Sequence, residues 1–236
     1  MNRIAYMVMR NIYRAPGWFW HVWRLGRNKD EHTDQERYDY LRNAIIKINK
    51  TGRVNIEKHG IENIPDEGGF ILFPNHQGLF DMLAIIESCP RPLRVVVKKE
   101  VSNVILVKQV LELLKGISMD RSDIRSSLQI INKMTEDVKN GKSYVIFAEG
   151  TRSRNGNQIL KFKAGTFKSA VNAKCPIVPV ALINSYKPFD VSSIKKETVQ
   201  VHFLKSIPYD QYMGMKTVEI ADVVHDQIQK KIDENM

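Results

Sequence analysis

Two residues could form a catalytic pair: His76 and Asp81, five positions apart in the segment Asn-His-Gln-Gly-Leu-Phe-Asp at residues 75–81. A carboxylate that accepts a hydrogen bond from one imidazole nitrogen fixes the tautomer, so the other nitrogen is free to take a proton. On a regular helix such residues do not share a face, so His76 must lie in a turn and Asp81 in the first helical turn after it. The chain has no Gly-x-Ser-x-Gly nucleophile elbow, so the base would act on a substrate hydroxyl or on water.

A second segment, Phe-Ala-Glu-Gly-Thr-Arg-Ser at residues 147–153, carries groups that suit an anion such as phosphate. Gly150 allows close approach of the backbone, Thr151 can donate a hydrogen bond, and Arg152 can bind phosphate through two N–H groups. Glu149 would hold a cation in place or support the loop. A base beside an anion site indicates chemistry on a hydroxyl of a phosphorylated substrate, although each segment alone also fits an ordinary surface turn.

Two further cations extend the candidate anion site. Arg121 follows the short apolar segment 116–119, and Lys163 lies in Phe-Lys-Ala-Gly at residues 162–165. Solvated or ion-paired surface positions are the alternative for both. The segment Gly-Lys-Ser at 141–143 predicts no P-loop, because Glu136 stands where that motif has its first glycine.

The composition favours anionic partners and argues against a cysteine-based site. The 236 residues include 36 basic and 26 acidic side chains, and the formal net charge of +10 suits acidic lipid, phosphorylated metabolites, an acidic carrier protein or nucleic acid. No helix-turn-helix, zinc or aromatic-sheet motif for nucleic acid is recognisable. Cys89 and Cys175 are too few for a disulfide framework or a zinc site, which indicates a reducing compartment.

The first 29 residues are basic and aromatic, with six Lys and Arg residues, all three tryptophans and no acidic residue. No run in the chain reaches the ~18 apolar residues of a membrane-spanning helix. We therefore predict an amphipathic helical segment over residues 1–50 that lies in the lipid headgroup layer and is broken at Pro16 and Gly17. The residues predicted to contact the membrane are Arg10, Arg14, Trp18, Phe19, Trp20 and Trp23. Packing of the tryptophans on the domain is the alternative.

Residues 51–236 alternate short apolar runs with amphipathic stretches, which predicts an α/β domain with a mostly parallel central sheet flanked by helices. The predicted strands are residues 54–57, 69–73, 93–98, 116–119, 143–147, 177–183 and 198–204. Predicted helices cover 38–50 after a polar linker at 30–35, 124–138 after a Ser122 cap, and 221–232. Ligands of such sheets bind beyond the carboxyl ends of the strands, where both motifs would lie.

Four blocks, taken in order, resemble the 1-acylglycerol-3-phosphate acyltransferase family of glycerolipid acyltransferases. The blocks are residues 75–81, 116–121, 147–153 and 177–181, and the resemblance spans about residues 52–205. The sequence departs from the family pattern at Ala148, where proline is usual, and at Ser118 and Met119, where bulkier apolar residues are common. These departures remove no chemical group.

The resemblance implies acyl transfer from acyl-CoA or acyl-carrier protein to the 2-hydroxyl of 1-acylglycerol 3-phosphate, giving phosphatidic acid without an acyl-enzyme, metal or cofactor. It implies that His76 is the base and that Asp81 orients it. The predicted acceptor phosphate site consists of Arg121, Glu149, Gly150, Thr151 and Arg152, with Lys163 as a further cation. Residues 177–181 would shape an apolar channel, and backbone donors near Gly78 would stabilise the oxyanion.

Such an enzyme would be a peripheral protein at the cytoplasmic face of the membrane. Its partners would be lysophosphatidic acid, an anionic bilayer surface and, as one of two donors, acyl-carrier protein, but no nucleic acid. Two other interpretations remain open. A thioesterase would use the same pair with water, and a non-catalytic basic module would bind membrane or nucleic acid without turnover.

Overall fold

The computed structural model describes residues 2–28, 31–120 and 123–236, apart from the side chain of Ile124, and a seven-stranded sheet forms its centre. The strands are Val54–His59 (β1), Ile71–Pro74 (β2), Leu93–Lys98 (β3), Ile117–Met119 (β4), Ser143–Val145 (β5), Ile177–Ile183 (β6) and Glu197–Phe203 (β7). Their order across the sheet is β1-β7-β6-β2-β5-β3-β4. All seven predicted strands are present, with ends displaced by at most two residues.

Helices cover both faces of the sheet and form a hydrophobic core on each. The α-helices are Arg3–Asn11 (α1), Ala15–Arg27 (α2), Asp34–Thr51 (α3), Asp81–Ser88 (α4), Lys99–Ser102 (α5), Val107–Leu113 (α6), Ile124–Lys139 (α7), Lys168–Ala173 (α8), Lys187–Asp190 (α9), Tyr209–Tyr212 (α10) and Thr217–Asp233 (α11), with 3₁₀ turns at Ile61–Asn63 and Ala164–Phe167. Successive side chains of a strand point to opposite faces. Leu72 therefore packs with α1 to α4 and α6, whereas Ile71 and Phe73 pack with α7, α8 and α11.

The direction of the strands decides which loops share an edge of the sheet. The strands β2 to β6 run parallel to one another, whereas β7 is antiparallel to β6 and parallel to β1. This confirms a mostly parallel sheet. The carboxyl ends of β2 to β6 therefore lie at the same edge as the amino ends of β1 and β7. We call this edge the motif edge, because the loops after β2 and β5 contain the two predicted motifs.

The N-terminal helices begin and end at other residues than predicted. The turn between them lies at residues 12–14, whereas Pro16 lies in the first turn of α2. Proline is tolerated there because the first N–H groups of a helix have no partner within it. The predicted linker is wrong from Asp34 onward. Helix α3 begins at Asp34 because Thr33 and Glu36 form a capping box, in which each side chain accepts from the other residue's backbone N–H.

The start of α7 also differs from the prediction. Ser122, the predicted cap, lies outside the described residues. The residue that caps α7 is Asp123, whose side chain accepts a hydrogen bond from the backbone N–H of Arg125. A carboxylate at this position satisfies an N–H group that the helix itself leaves without a partner.

Helices α1 and α2 are anchored to the domain through one face. Met7, Val22 and Leu25 are buried in the core that covers Leu72. The guanidinium of Arg3 is fully buried and donates hydrogen bonds to the carbonyl oxygens of Gly52 (2.8 Å), which precedes β1, and of a residue just before β7. Arg3 therefore holds α1 at the motif edge. None of the described helices combines the length and the apolarity needed to cross a bilayer.

Candidate active site

The loop between β2 and α4 brings the predicted catalytic pair into contact. His76 Nδ1 lies 2.7 Å from Asp81 Oδ2. His76 is in the loop and Asp81 is the first residue of α4, the arrangement that the spacing required. The carboxylate of Asp81 is fully buried and also accepts hydrogen bonds from the backbone N–H groups of Gln77 (2.7 Å) and Gly78 (3.0 Å). The backbone of the loop thus holds the carboxylate, and the carboxylate holds the imidazole.

The imidazole of His76 is held on a second side by an aromatic ring. Its centroid lies 4.0 Å from that of the Phe147 ring, with 26° between the planes. The side chain of His76 is nevertheless 23% exposed, so a substrate can reach it. Because Nδ1 faces Asp81, Nε2 is the nitrogen that remains to accept a proton.

Glu149 connects the two motif loops through their backbones. Its Oε1 accepts a hydrogen bond from the N–H of His76 at 2.6 Å, and its Oε2 accepts one from the N–H of Leu160 at 3.0 Å. Burial raises the pKa of Glu149 to about 7, although the two backbone donors and His76 act in the opposite direction. The sequence suggested two roles for this carboxyl group, holding a cation in place or supporting the loop. These contacts match the second role.

Arg152 lies beside the histidine loop. The next residue, Ser153, donates its backbone N–H to the carbonyl oxygen of His76 at 2.9 Å. Arg152 Nη1 is 3.9 Å from Asp190 Oδ1, at the end of α9. That separation is longer than the ~2.7–2.9 Å of a charge-assisted hydrogen bond. The backbone of this segment therefore contacts the histidine loop, and the guanidinium is only loosely paired.

Gly150 and Thr151 belong to the turn that precedes Arg152, and the side chain of Lys163 lies against Gly150. Gly150 has φ +73°, a conformation that glycine adopts without strain, and a Cβ atom at this position would lie 2.8 Å from Lys163 Nζ. Thr151 is exposed next to it. The structure thus brings together every predicted anion-binding residue except Arg121, which lies outside the described residues.

Two buried amides of the histidine loop were not identified from the sequence. Asn75 donates to the carbonyl oxygen of Leu182 (3.0 Å) and accepts from its N–H (2.7 Å). Gln77 donates to the same carbonyl oxygen (2.9 Å) and accepts from the N–H of Ser185 (2.7 Å). These side chains continue the pairing of β2 with β6 beyond the end of β2. The only signal for them was their position on either side of His76.

One expectation about this region stays a prediction and another is corrected. The N–H of Gly78 donates to Asp81, so an oxyanion donor near Gly78 would be another backbone N–H of this loop. Residues 177–181 belong to β6, which is buried along its whole length and contributes to both hydrophobic cores. This segment therefore forms the centre of the sheet rather than the wall of an open channel.

The residues predicted to contact membrane lie on α1, on α2 and, in the case of Arg14, in the turn between them. Trp18 is half-buried, and the exposed residues are Arg10, Arg14, Phe19, Trp20 and Trp23. The guanidinium of Arg24 lies 5.5 Å from the ring centroid of Trp20, and that of Arg27 lies 5.0 Å from that of Trp23. Cations thus flank the exposed aromatic rings.

Within the described part of the chain, no group of three or more His, Cys, Asp and Glu side chains is arranged to hold a metal ion. Cys89 and Cys175 are buried as free thiols, and burial raises the pKa of each to about 12.

Comparisons with known proteins agree on one family. A family model described as Acyltransferase matches residues 55–183. The 1-acyl-sn-glycerol-3-phosphate acyltransferase of Borreliella burgdorferi is 30% identical over 193 residues, which cover 80% of this chain and 77% of that protein. The human 1-acyl-sn-glycerol-3-phosphate acyltransferase alpha is 27% identical over 197 residues, covering 80% and 68%.

The fold has a counterpart among solved structures. The crystal structure of the 1-acyl-sn-glycerophosphate acyltransferase PlsC from Thermotoga maritima matches with a TM-score of 0.76 at 21% sequence identity, and the match covers 99% of this chain and 97% of that one. This match confirms the α/β architecture. The span of the family model includes both motif loops.

Proposed function

The chain belongs to the acyltransferase family, and we propose that it transfers a fatty acyl group from a thioester to the 2-hydroxyl of 1-acylglycerol 3-phosphate, giving phosphatidic acid. The observation that carries this proposal is the 2.7 Å contact between His76 Nδ1 and Asp81 Oδ2, in a loop that directly contacts the segment of Arg152. The choice of acceptor is supported by the activities named for the relatives from Borreliella burgdorferi and human.

In the proposed mechanism His76 is the general base. Nε2 takes the proton of the 2-hydroxyl while the oxygen attacks the thioester carbonyl carbon. The tetrahedral intermediate collapses, the carbon–sulfur bond breaks, and the imidazolium returns the proton to the leaving thiolate. Asp81 keeps the imidazole in the required tautomer and stabilises the imidazolium between these two steps.

The phosphate of the acceptor would bind in the turn at Gly150 and Thr151. Arg152 would exchange its loose contact with Asp190 for two hydrogen bonds to phosphate oxygens, which are stronger because both partners are charged. Lys163 adds a second cation at the turn, and Arg121 remains a third from the sequence. An acceptor held at its phosphate presents its hydroxyl to His76 in a fixed position, which lowers the entropic cost of the reaction.

We propose that α1 and α2 bind the cytoplasmic face of the membrane as a peripheral anchor. Aromatic rings flanked by arginines suit the headgroup region of an anionic bilayer. The opposite faces of these helices are buried in the domain, and Arg3 holds α1 at the motif edge. The lipid acceptor and the product can then pass between the bilayer and the site without crossing water.

The donor would be acyl-CoA or acyl-carrier protein, both of which are anionic and suit the net charge of +10. A single assay tests the proposal: full-length protein is given each donor with and without lysophosphatidic acid, and free thiol and phosphatidic acid are measured together. We expect thiol release that requires the acceptor and equals phosphatidic acid formation. Thiol release at an equal rate without acceptor would identify a thioesterase. If neither thiol nor phosphatidic acid formed, the protein would be a binding module.

A further inference from the structure

The chain exposes a second group of apolar side chains, outside α1 and α2. It lies between β3 and α6, and Ile105 at its centre is 78% exposed. We call it the apolar tip. Its members are Val101, Val104, Ile105 and Leu106, all exposed. Exposed apolar residues that stand singly are ordinary on protein surfaces, but three consecutive ones, with a fourth nearby, form a patch that calls for a partner.

The strand order places the apolar tip at the motif edge. The tip follows the carboxyl end of β3, which lies at the same edge as the carboxyl end of β2. Helix α6 then returns the chain to the start of β4, which is parallel to β3. Leu79, in the histidine loop at this edge, is also exposed. The tip thus stands on the same side of the molecule as His76.

The apolar tip is also connected to α2. Gly26 of α2 packs so closely on α6 that a Cβ atom there would lie 3.2 Å from the backbone nitrogen of Leu113. Helix α6 begins directly after the tip. The tip is therefore joined to the start of a helix that packs, near its other end, against the helix carrying the exposed tryptophans.

Part of the backbone of the apolar tip is hydrogen-bonded within the segment. The N–H of Val104 donates to the carbonyl oxygen of Val101 (3.2 Å), and that of Lys108 donates to the carbonyl oxygen of Val104 (3.0 Å). The N–H of Leu106 donates to the side chain of Gln109 at 2.7 Å. Polar groups that are paired within the segment can enter a lipid interface at low cost, because they lose no hydrogen bonds to water.

The charges around the apolar tip suit an anionic surface. Lys98, Lys99 and Lys108 flank it and are exposed, and Glu100 is the only acidic residue in 98–108. Lys98 pairs with Glu100 and Lys99 pairs with Asp120, so the three cations around the tip exceed their two carboxylate partners by one. Basic side chains beside an apolar projection are typical of segments that insert into the headgroup layer of anionic membranes.

We propose that the apolar tip is a second membrane-contacting element, which inserts Val104, Ile105 and Leu106 into an anionic bilayer on the motif side of the molecule. With α1 and α2 it gives the protein two separate points of contact, which fix the orientation of the motif edge toward the lipid. The proposal concerns binding alone and goes beyond the proposed acyl transfer, so that each can fail without the other.

Fluorescent labelling tests insertion directly. The native cysteines are buried, so an environment-sensitive dye reacts selectively at a cysteine introduced by Val104→Cys, or at a control introduced by Val218→Cys on α11. Val104 and Val218 are both 52% exposed, which makes the two sites well matched. On vesicles containing phosphatidylglycerol, we expect a blue shift and increased emission at position 104 and little change at 218. Equal responses, or no response at 104, would overturn the proposal.

A charge substitution tests the contribution to affinity. Val104→Asp should weaken vesicle binding about 5- to 20-fold, because it removes apolar contact and adds a negative charge near an anionic surface. Val218→Asp adds the same charge away from the proposed contact and should change binding less than about 2-fold. Unchanged vesicle binding in Val104→Asp, or a change confined to its oligomeric state, would refute the bilayer as the partner. Acyl transfer to an acceptor in detergent should persist in Val104→Asp, and its loss together with unaltered vesicle binding would also count against the proposal.

Discussion

The two loops that meet at the motif edge are held in different ways. In the loop after β2, the side chains of Asn75, Gln77 and Asp81 are buried and hydrogen-bonded. In the loop after β5, Thr151 is exposed and Arg152 makes one long contact with a carboxylate. The base is therefore in place before a substrate arrives, whereas the anion-binding side chains keep the freedom to adjust.

This difference corresponds to the chemistry assigned to each loop. Proton transfer depends on the position and tautomer of the base within fractions of an ångström, so fixed neighbours favour it. Binding of a charged headgroup requires cations that can leave their resting partners at little cost. Glu149 links the two loops, since its carboxyl group accepts hydrogen bonds from the backbones of both His76 and Leu160.

Removal of the base should have the largest effect. We expect His76→Ala to lower kcat about 10²- to 10⁴-fold while KM for the acceptor changes little, because the substitution removes the general base but not the anion-binding turn. Steady-state kinetics with lysophosphatidic acid measures both constants. His32→Ala, a change at a histidine that precedes α3, is the control and should retain full turnover. A kcat close to that of the native protein in His76→Ala would refute the assigned role.

The contribution of Glu149, which links the two loops, to the free energy of unfolding should depend on pH. Burial raises the pKa of Glu149 from 4.5 to about 7, so between these values the folded protein keeps a proton that the unfolded chain has released. The free energy of unfolding should therefore fall as pH rises from 4.5 to 7, by on the order of 3 kcal/mol from this group. Glu149→Gln removes this contribution.

Urea unfolding at several pH values measures that effect. Relative to Glu149→Gln, the native protein should be more stable near pH 5 than near pH 8. Glu62→Gln, at an exposed glutamate, should follow the pH dependence of the native protein. Parallel curves for the native protein and Glu149→Gln would show that this carboxyl group is ionised alike in the folded and unfolded states.

Local patterns in the sequence predicted the part of the site that local structure determines. A short apolar strand, a turn and a helix that begins at Asp81 are sufficient to place this residue against His76, and the two residues stand only five positions apart. The strands were predictable for the same reason, since alternating apolar runs and amphipathic stretches specify strands and helices directly. Glu149 was recognised as a component of the site, although its partners were not.

The remaining contacts depend on pairing between distant segments. Asn75 and Leu182 are 107 residues apart, and Gln77 and Ser185 are 108 apart. These contacts exist only because β6 lies beside β2, and no local pattern encodes that neighbour. The buried Arg3 is a similar case, because its carbonyl partner at Lys195 is 192 residues away. A single sequence predicts the elements of such a site better than the hydrogen bonds that hold them together.

A substitution at Arg152, in the loop after β5, should weaken binding of the acceptor. We expect Arg152→Gln to raise KM for lysophosphatidic acid about 10-fold with a smaller change in kcat, because it removes a charged contact to phosphate and leaves the base intact. Arg154→Gln, two residues along the same loop, is the control for the loss of one positive charge from this loop. A similar rise in KM for both variants would indicate a general effect of net charge, and an unchanged KM in Arg152→Gln would move the phosphate site elsewhere.

The smallest effect should come from the backbone of the turn itself. At Gly150 the φ angle of +73° disfavours any residue with a Cβ atom, and that atom would also clash with the end of the Lys163 side chain. Since this side chain is flexible, backbone strain should dominate, and Gly150→Ala should lower the free energy of unfolding by about 1 kcal/mol. Gly165→Ala is the control, because a Cβ there meets nothing within 4 Å and the φ angle is not positive. If Gly150→Ala were as stable as the native protein but bound the acceptor more weakly, the glycine would serve the approach of phosphate to the backbone rather than the conformation of the turn.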